Sequence, residues 1–177
     1  FNNLCIKLSS NDDFRKIWNY SLFKWENGLL KNEKELLTDD SYRKMEDVEM
    51  VLRFFSYRHL NLLSNFKSQE DFLDEFLKQA NSYSDDILFE LEEIFNKTCK
   101  LVYRILGESA LYMPELGTQK RSTPTKTIYD PIMQVISNHL DKEALLISKK
   151  DKIKELLYTD IANLEYKSKN KTIPLFS

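Results

Sequence analysis

The sequence predicts an all-α domain, a multi-helix bundle of about six to eight helices, on three observations. Turn formers are scarce: 177 residues contain 3 Gly and 4 Pro, fewer than a β-sandwich or α/β fold of this size needs. Apolar residues recur at spacings of three and four along most of the chain, the period of a helix with one buried face. Finally, 42% hydrophobic and 31% charged residues belong to a globular chain long enough for one core. Residues 1–177 therefore read as a single helical domain. The first residue is Phe1 and the apolar pattern is already running there, so the chain is expected to be a fragment of a longer protein.

Phe1, Leu4, Cys5 and Leu8 open the pattern at i, i+3, i+4, i+7. "SSNDD" (9–13) stops that helix and supplies a cap for the next. Phe14, Ile17, Trp18, Leu22, Trp25 and Leu29 predict a second helix to about residue 30, with both tryptophans in the core. "KNEKELLTDD" is a polar connection with one helical turn, and Asp40 or Ser41 can cap the next helix. Met45, Val48, Leu52 and Phe55 then form one apolar helix face. On the same helix Glu49 precedes Arg53 by four residues, the favourable order for an exposed pair; Arg43 and Asp47 share that spacing in the reverse order. Ser68 with Asp71 resembles a capping box before Phe72, Leu73, Phe76 and Leu77. After "NSYSDD", Leu88, Leu91, Phe95, Cys99 (or Thr98), Val102 and Ile105 form the longest stripe, with Gly107 placed to end it. Residues 107–127 read as one long basic loop carrying Lys120, Arg121 and Lys126. Asp130 as N-cap and Pro131 at the first helical position then predict a helix start, followed by Ile132, Val135, Ile136, His139 and Leu140. A last helix carries Ile153, Leu156, Leu157, Ile161 and Leu164, and "KSKNKTIPLFS" is a loop or extended tail.

Charge and motifs exclude several functions. Net charge is −2, split into −6 over residues 1–117 and +4 over 118–177, which makes no global case for nucleic acid. Phosphate-loop, dinucleotide and nucleophile-elbow glycine patterns are missing. Two Cys and two His lie too far apart in sequence for a zinc motif. Cys5 and Cys99 read as buried free thiols in a reducing compartment, and His59 and His139 as hydrogen-bonded boundary histidines. The carboxylates of "MEDVE" and "DFLDE" read as solvated surface rather than a metal site. The basic loop has the one claim on DNA, through Lys120, Arg121 and Lys126 neutralising phosphates. Since no stretch approaches the length of a membrane span, no membrane partner is expected.

Four blocks, "RKMEDVEMVLRFFSY" (43–57), "DFLDEFL" (71–77), "ILGESAL" (105–111) and "TIYDPIMQV" (127–135), occur in an order and spacing that resemble the amino-terminal domain of GmrSD-type restriction proteins. The match is to the helical, C-terminal part of that ParB/sulfiredoxin-like domain of unknown function, and it spans roughly residues 1–140. Arg43, Asp47, Glu49, Leu52, Arg53, Phe54 and Phe55 stand where the family's motif residues stand; Leu111 and Pro131 depart from its pattern. The resemblance implies a prokaryotic, cytoplasmic protein of phage defence acting on modified DNA. It also implies a nucleotide-dependent restriction endonuclease as parent, using a nucleoside triphosphate and a divalent metal. The catalytic Asp-Gly-Gln-Gln-Arg motif of that family does not occur here. This chain is therefore expected to be the non-catalytic helical support of the parent, with no cofactor of its own. DNA, the remaining parts of the same polypeptide and a second copy are its candidate partners. The alternative expectation is a stand-alone helical protein-interaction module.

Overall fold

The computed structural model describes residues 1–59, 67–114, 121–157 and 159. In chain order they form α1 (Asn2–Leu8), α2 (Asp12–Trp18), a hairpin of β1 (Trp25–Glu26) and β2 (Leu29–Leu30), α3 (Glu33–Thr38), α4 (Asp40–Arg43), α5 (Glu46–Arg58), α6 (Gln69–Ala80) and α7 (Asp85–Leu106). A 3₁₀ turn (Gly107–Ser109), a second hairpin of β3 (Tyr112–Pro114) and β4 (Arg121–Pro124), α8 (Lys126–Ser137), another 3₁₀ turn (Leu140–Lys142) and α9 (Glu143–Ser148) come next. Residues 150–157 are again helical. The architecture is all-α, with two short antiparallel hairpins as its only sheet among the described residues.

The longest helix, α7, is the spine. Its 22 residues span roughly 33 Å at the usual rise per residue. Leu91, Phe95, Cys99, Val102 and Ile105 are buried along it as the apolar period requires, and α1, α2, α8 and α9 pack against it. Phe95 sits at the centre, with ring centroids 5.5 Å from Phe14 and 5.3 Å from Phe54. Phe14 meets Tyr129 at 6.4 Å. Such offset and edge contacts let large rings fill a core densely. Caps fall where polar residues interrupt the stripes. The Asn11 side chain accepts from the Phe14 amide at 2.8 Å, and the Ser68 hydroxyl from the Asp71 amide at 3.1 Å. Gly107 closes α7 at φ 76°, a backbone conformation that favours glycine.

The second predicted helix stops early. Asn19 ends α2 in the left-handed conformation, and Trp25 and Leu29 then lie in β1 and β2, 62% and 65% exposed. Asn27 and Gly28 both have positive φ, as a two-residue hairpin turn requires. The Asn-Gly pair outweighs the helical spacing around it, and only Trp18 of the two tryptophans is core.

Along α5 the buried face is Asp47, Met50, Val51, Phe54 and Phe55. Val48 and Leu52 are half-buried beside it, and Met45, at positive φ ahead of the helix, is 51% exposed. Both adjacent phenylalanines join the aromatic centre, which turns the helix away from the predicted face. The long basic loop is in part the β3–β4 hairpin, pairing Tyr112 with Pro124 and Pro114 with Arg121; residues 115–120 lie outside the described ones.

Asp130 is not a cap. Thr125 precedes α8, which already runs from Lys126, and Pro131 is inside the helix. The helix starts early because Ile128 and Tyr129 are buried and Asp130 is drawn to a partner on α5. Val135 faces outward at 58% exposure, while Ile132, Met133 and Ile136 are buried. In the final helix Ile153 and Leu157 are half-buried and Leu156 is exposed; Ile161, Leu164 and the tail lie outside the described residues.

Candidate functional site

The charged residues of α5 do not form the local pairs that their spacing predicts. Arg53 turns instead to Asp130 of α8, with Nε 3.3 Å from one carboxylate oxygen and a terminal guanidinium nitrogen bonded to the other. Glu49 takes the Lys126 amine at 2.9 Å. These belong to a polar seam joining two parallel helices. Tyr129 donates its hydroxyl to the Met50 carbonyl at 2.9 Å, and Gln134 its amide to the Phe54 carbonyl at 2.9 Å. Arg58 closes the seam on Ser137 Oγ at 2.7 Å and Asn138 Oδ1 at 3.0 Å. The carbonyls of Met50 and Phe54 already belong to the α5 ladder; their second lone pairs accept from α8.

Arg53 is 4% exposed and its guanidinium carbon lies 5.2 Å from the Tyr57 ring centroid. Burial works against its charge, but Asp130 outweighs burial and raises the Arg53 pKa. Burial likewise pushes the Asp130 carboxyl above its ordinary value while Arg53 pulls it back. The two-point geometry identifies a charged, fork-to-carboxylate pair.

Asp47 is taken by a second arginine. Arg15 of α2 is wholly buried, and its Nη1 lies 2.7 Å from Asp47 and 3.0 Å from the Ser9 carbonyl; its Nε donates to the Ser21 carbonyl. Asp39 stands 3.7 Å away, and the guanidinium carbon lies 5.5 Å and 4.8 Å from the ring centroids of Tyr20 and Phe23. Burial raises the Asp47 carboxyl despite Arg15. Burial pushes up Asp39 too, but the Ser21 and Ser41 hydrogen bonds outweigh it and hold that group below its ordinary value. Arg43, the fourth motif residue, pairs with Asp40 at 3.5 Å on the surface. Thus the expectation of solvated carboxylates in "MEDVE" is corrected for Asp47, which is 1% exposed.

Beside the Glu49–Lys126 end of the seam lies a cleft of about 620 Å³. Glu49, Leu52 and Arg53 of α5 form one wall, Ser68 and the first turns of α6 (Gln69, Glu70, Leu73, Asp74) the other, and Lys126 closes the end. Of the predicted DNA contacts, Lys126 is therefore tied to Glu49 at this rim. Arg121 is a β4 residue whose backbone alone is described, and Lys120 lies outside the described residues.

Both cysteines are buried free thiols; burial raises Cys5 to about 12 and Cys99 well above its ordinary value. Each histidine places Nδ1 against the carbonyl four residues back, at 2.7 Å for His59 and 2.8 Å for His139. Among the described residues no group of three or more His, Cys, Asp or Glu is placed to hold a metal ion.

Sequence reasoning missed Arg15, although it stands beside Phe14 on the margin of an apolar stripe, a position where a charge must find a buried partner. The pairing of Asp130 carried no local signal, because its partner lies 77 residues away; its local signal was that of a cap. No helix among the described residues is long and apolar enough to cross a membrane. Comparison with protein-family models, with curated proteins and with solved structures finds no match.

Proposed function

We propose that the chain is the non-catalytic helical region of a GmrSD-like DNA-restriction protein, supporting a nucleotide-hydrolysing, DNA-sensing domain of that protein. One observation carries the reading. Arg53 and Asp130, from the first and fourth of the resembling blocks, meet in a part-buried pair, so residues that the sequence places in separate motifs act as one unit. Three of the four motif charges are engaged in holding helices together: Arg53 on Asp130, Asp47 on Arg15, Glu49 on Lys126. That is the work of a scaffold. DNA contact, on this reading, belongs to Lys120 and Arg121 rather than to Lys126, whose amine already has a carboxylate.

The test is phage plating on cells expressing the gene that encodes this chain, with phage of modified and unmodified DNA. The gene is expected to lower plating of the modified phage, and Arg53→Leu is expected to abolish that protection. The purified chain, given plasmid, nucleoside triphosphate and Mg²⁺, is expected to leave both substrates intact. Equal plating with and without the gene overturns the restriction reading; nucleotide turnover or cleavage by the chain alone overturns the non-catalytic one. Mobility shifts that survive Lys120→Ala/Arg121→Ala unchanged remove the DNA contact.

A further inference from the structure

The cleft between α5 and α6 has a charge distribution unlike that of a phosphate site. Its two cations are already matched: Arg53 by Asp130 behind the wall, and Lys126 by Glu49 at 2.9 Å. Glu70 and Asp74 are left over. They are one helical turn apart on α6, both exposed, both on the cleft wall, and neither forms a salt bridge among the described residues. Leu52, half-buried, and Leu73, 8% exposed, supply apolar surface between the charges. Such a surface suits a side chain with an aliphatic stem and a cationic head, which can lay its methylenes on leucine and its charge on carboxylate. The protein itself provides a precedent, because Lys126 lines this cleft with its amine on Glu49.

We propose that this cleft is a docking groove for a basic, amphipathic segment of a protein partner, whose Lys or Arg residues engage Glu70 and Asp74 and whose apolar residues rest on Leu52 and Leu73. The volume, about 620 Å³, is in the range of sites that enclose a few side chains. The incoming segment competes with Lys126 for Glu49, so Lys126 acts as an internal placeholder that weakens docking until displaced. This inference does not depend on the family reading; it needs only the groove and its charges.

The test is fluorescence anisotropy of the whole chain with a short fluorescein-labelled peptide in which Lys and Leu recur at helical spacing. Glu70→Lys/Asp74→Lys is expected to weaken binding by about tenfold or more. Asp86→Lys/Glu90→Lys, an equally spaced exposed pair on α7, makes the same change in net charge away from the groove and is expected to bind as the unaltered chain does. Lys126→Ala is expected to tighten binding about threefold by freeing Glu49. Circular dichroism confirms that each variant is folded. Equal losses from the two charge-reversal pairs overturn the proposal, since the attraction is then to overall charge. So does an absence of peptide binding, or full displacement of the peptide by spermine at matched charge, which marks a small-polyamine site.

Discussion

Arg15 and Arg53 are both buried arginines that pair with an aspartate from another helix, yet their surroundings differ. Arg15 is enclosed: two backbone carbonyls, one close and one more distant carboxylate, and two aromatic faces surround it. Arg53 has one carboxylate and one aromatic ring, and its remaining side borders the cleft. Burial fraction alone would class them together. Their partners separate them, since one guanidinium donates to two backbone carbonyls as well as to Asp47, while the other completes a helix seam beside the cleft.

The largest effect expected is from Arg15→Ala. It leaves Asp47 charged in a closed interior and is expected to cost about 3–5 kcal/mol, read as a lower urea midpoint. Arg53→Ala is expected to cost about 2 kcal/mol, near the range for a hydrogen bond to a charged group, because the Asp130 side chain is itself 20% exposed to water. Apolar double replacement sharpens the contrast. Arg53→Met/Asp130→Leu is expected to recover most of the loss, as buried pairs often do. Arg15→Met/Asp47→Leu is not, because the Ser9 and Ser21 carbonyls lose their donor. Equal recovery at both sites would break the distinction.

Acidity gives a third comparison. The folded pKa of Asp39 lies below its unfolded value, near 4, because the Ser21 and Ser41 hydrogen bonds outweigh burial. As pH falls, the unfolded chain takes up that proton first. The contribution of Asp39 is therefore present above the unfolded value and lost as pH drops through the folded one. Asp39→Asn is expected to lower stability at neutral pH and flatten the acid limb of a stability–pH curve; an unchanged limb would show that the Ser21 and Ser41 hydrogen bonds do not stabilise the carboxylate. Asp47, raised by burial, slopes the opposite way: its share is present below the ordinary carboxylate value and lost as pH rises through the folded one. The smallest effect is at the rim, where Lys126→Ala is expected to change stability by under about 0.5 kcal/mol. Both partners there are more than a third exposed and screened by solvent.

Periodicity made α1, α6 and α7 legible because their buried faces are single stripes with polar caps at the breaks. It failed at residues 20–30, where apolar spacing and a hairpin turn compete and Asn27-Gly28 wins. It also failed at α8, where Asp130-Pro131 looks like a helix start but long-range packing begins the helix earlier. Glu49 and Arg53 were legible as a pair of charges, though not as partners of α8: spacing reports neighbours on one helix, whereas the seam joins residues 77 to 80 positions apart. The cleft lay beyond sequence reading for the same reason, since its walls come from three helices.

The order of helices around α7 also bears on how the chain is made. Asn2 meets Asn81 and Asn11 meets Asn96, contacts across 79 and 85 residues, and α1 and α2 pack on α7. The first two helices thus leave the ribosome long before α7, on which α2 and one side of α1 pack, has been made. During synthesis they wait as short, exposed amphipathic segments, too short to hold helical structure alone. Nascent chains arrested before Leu106 therefore present these apolar faces to holding chaperones, and burial comes only when the spine has emerged.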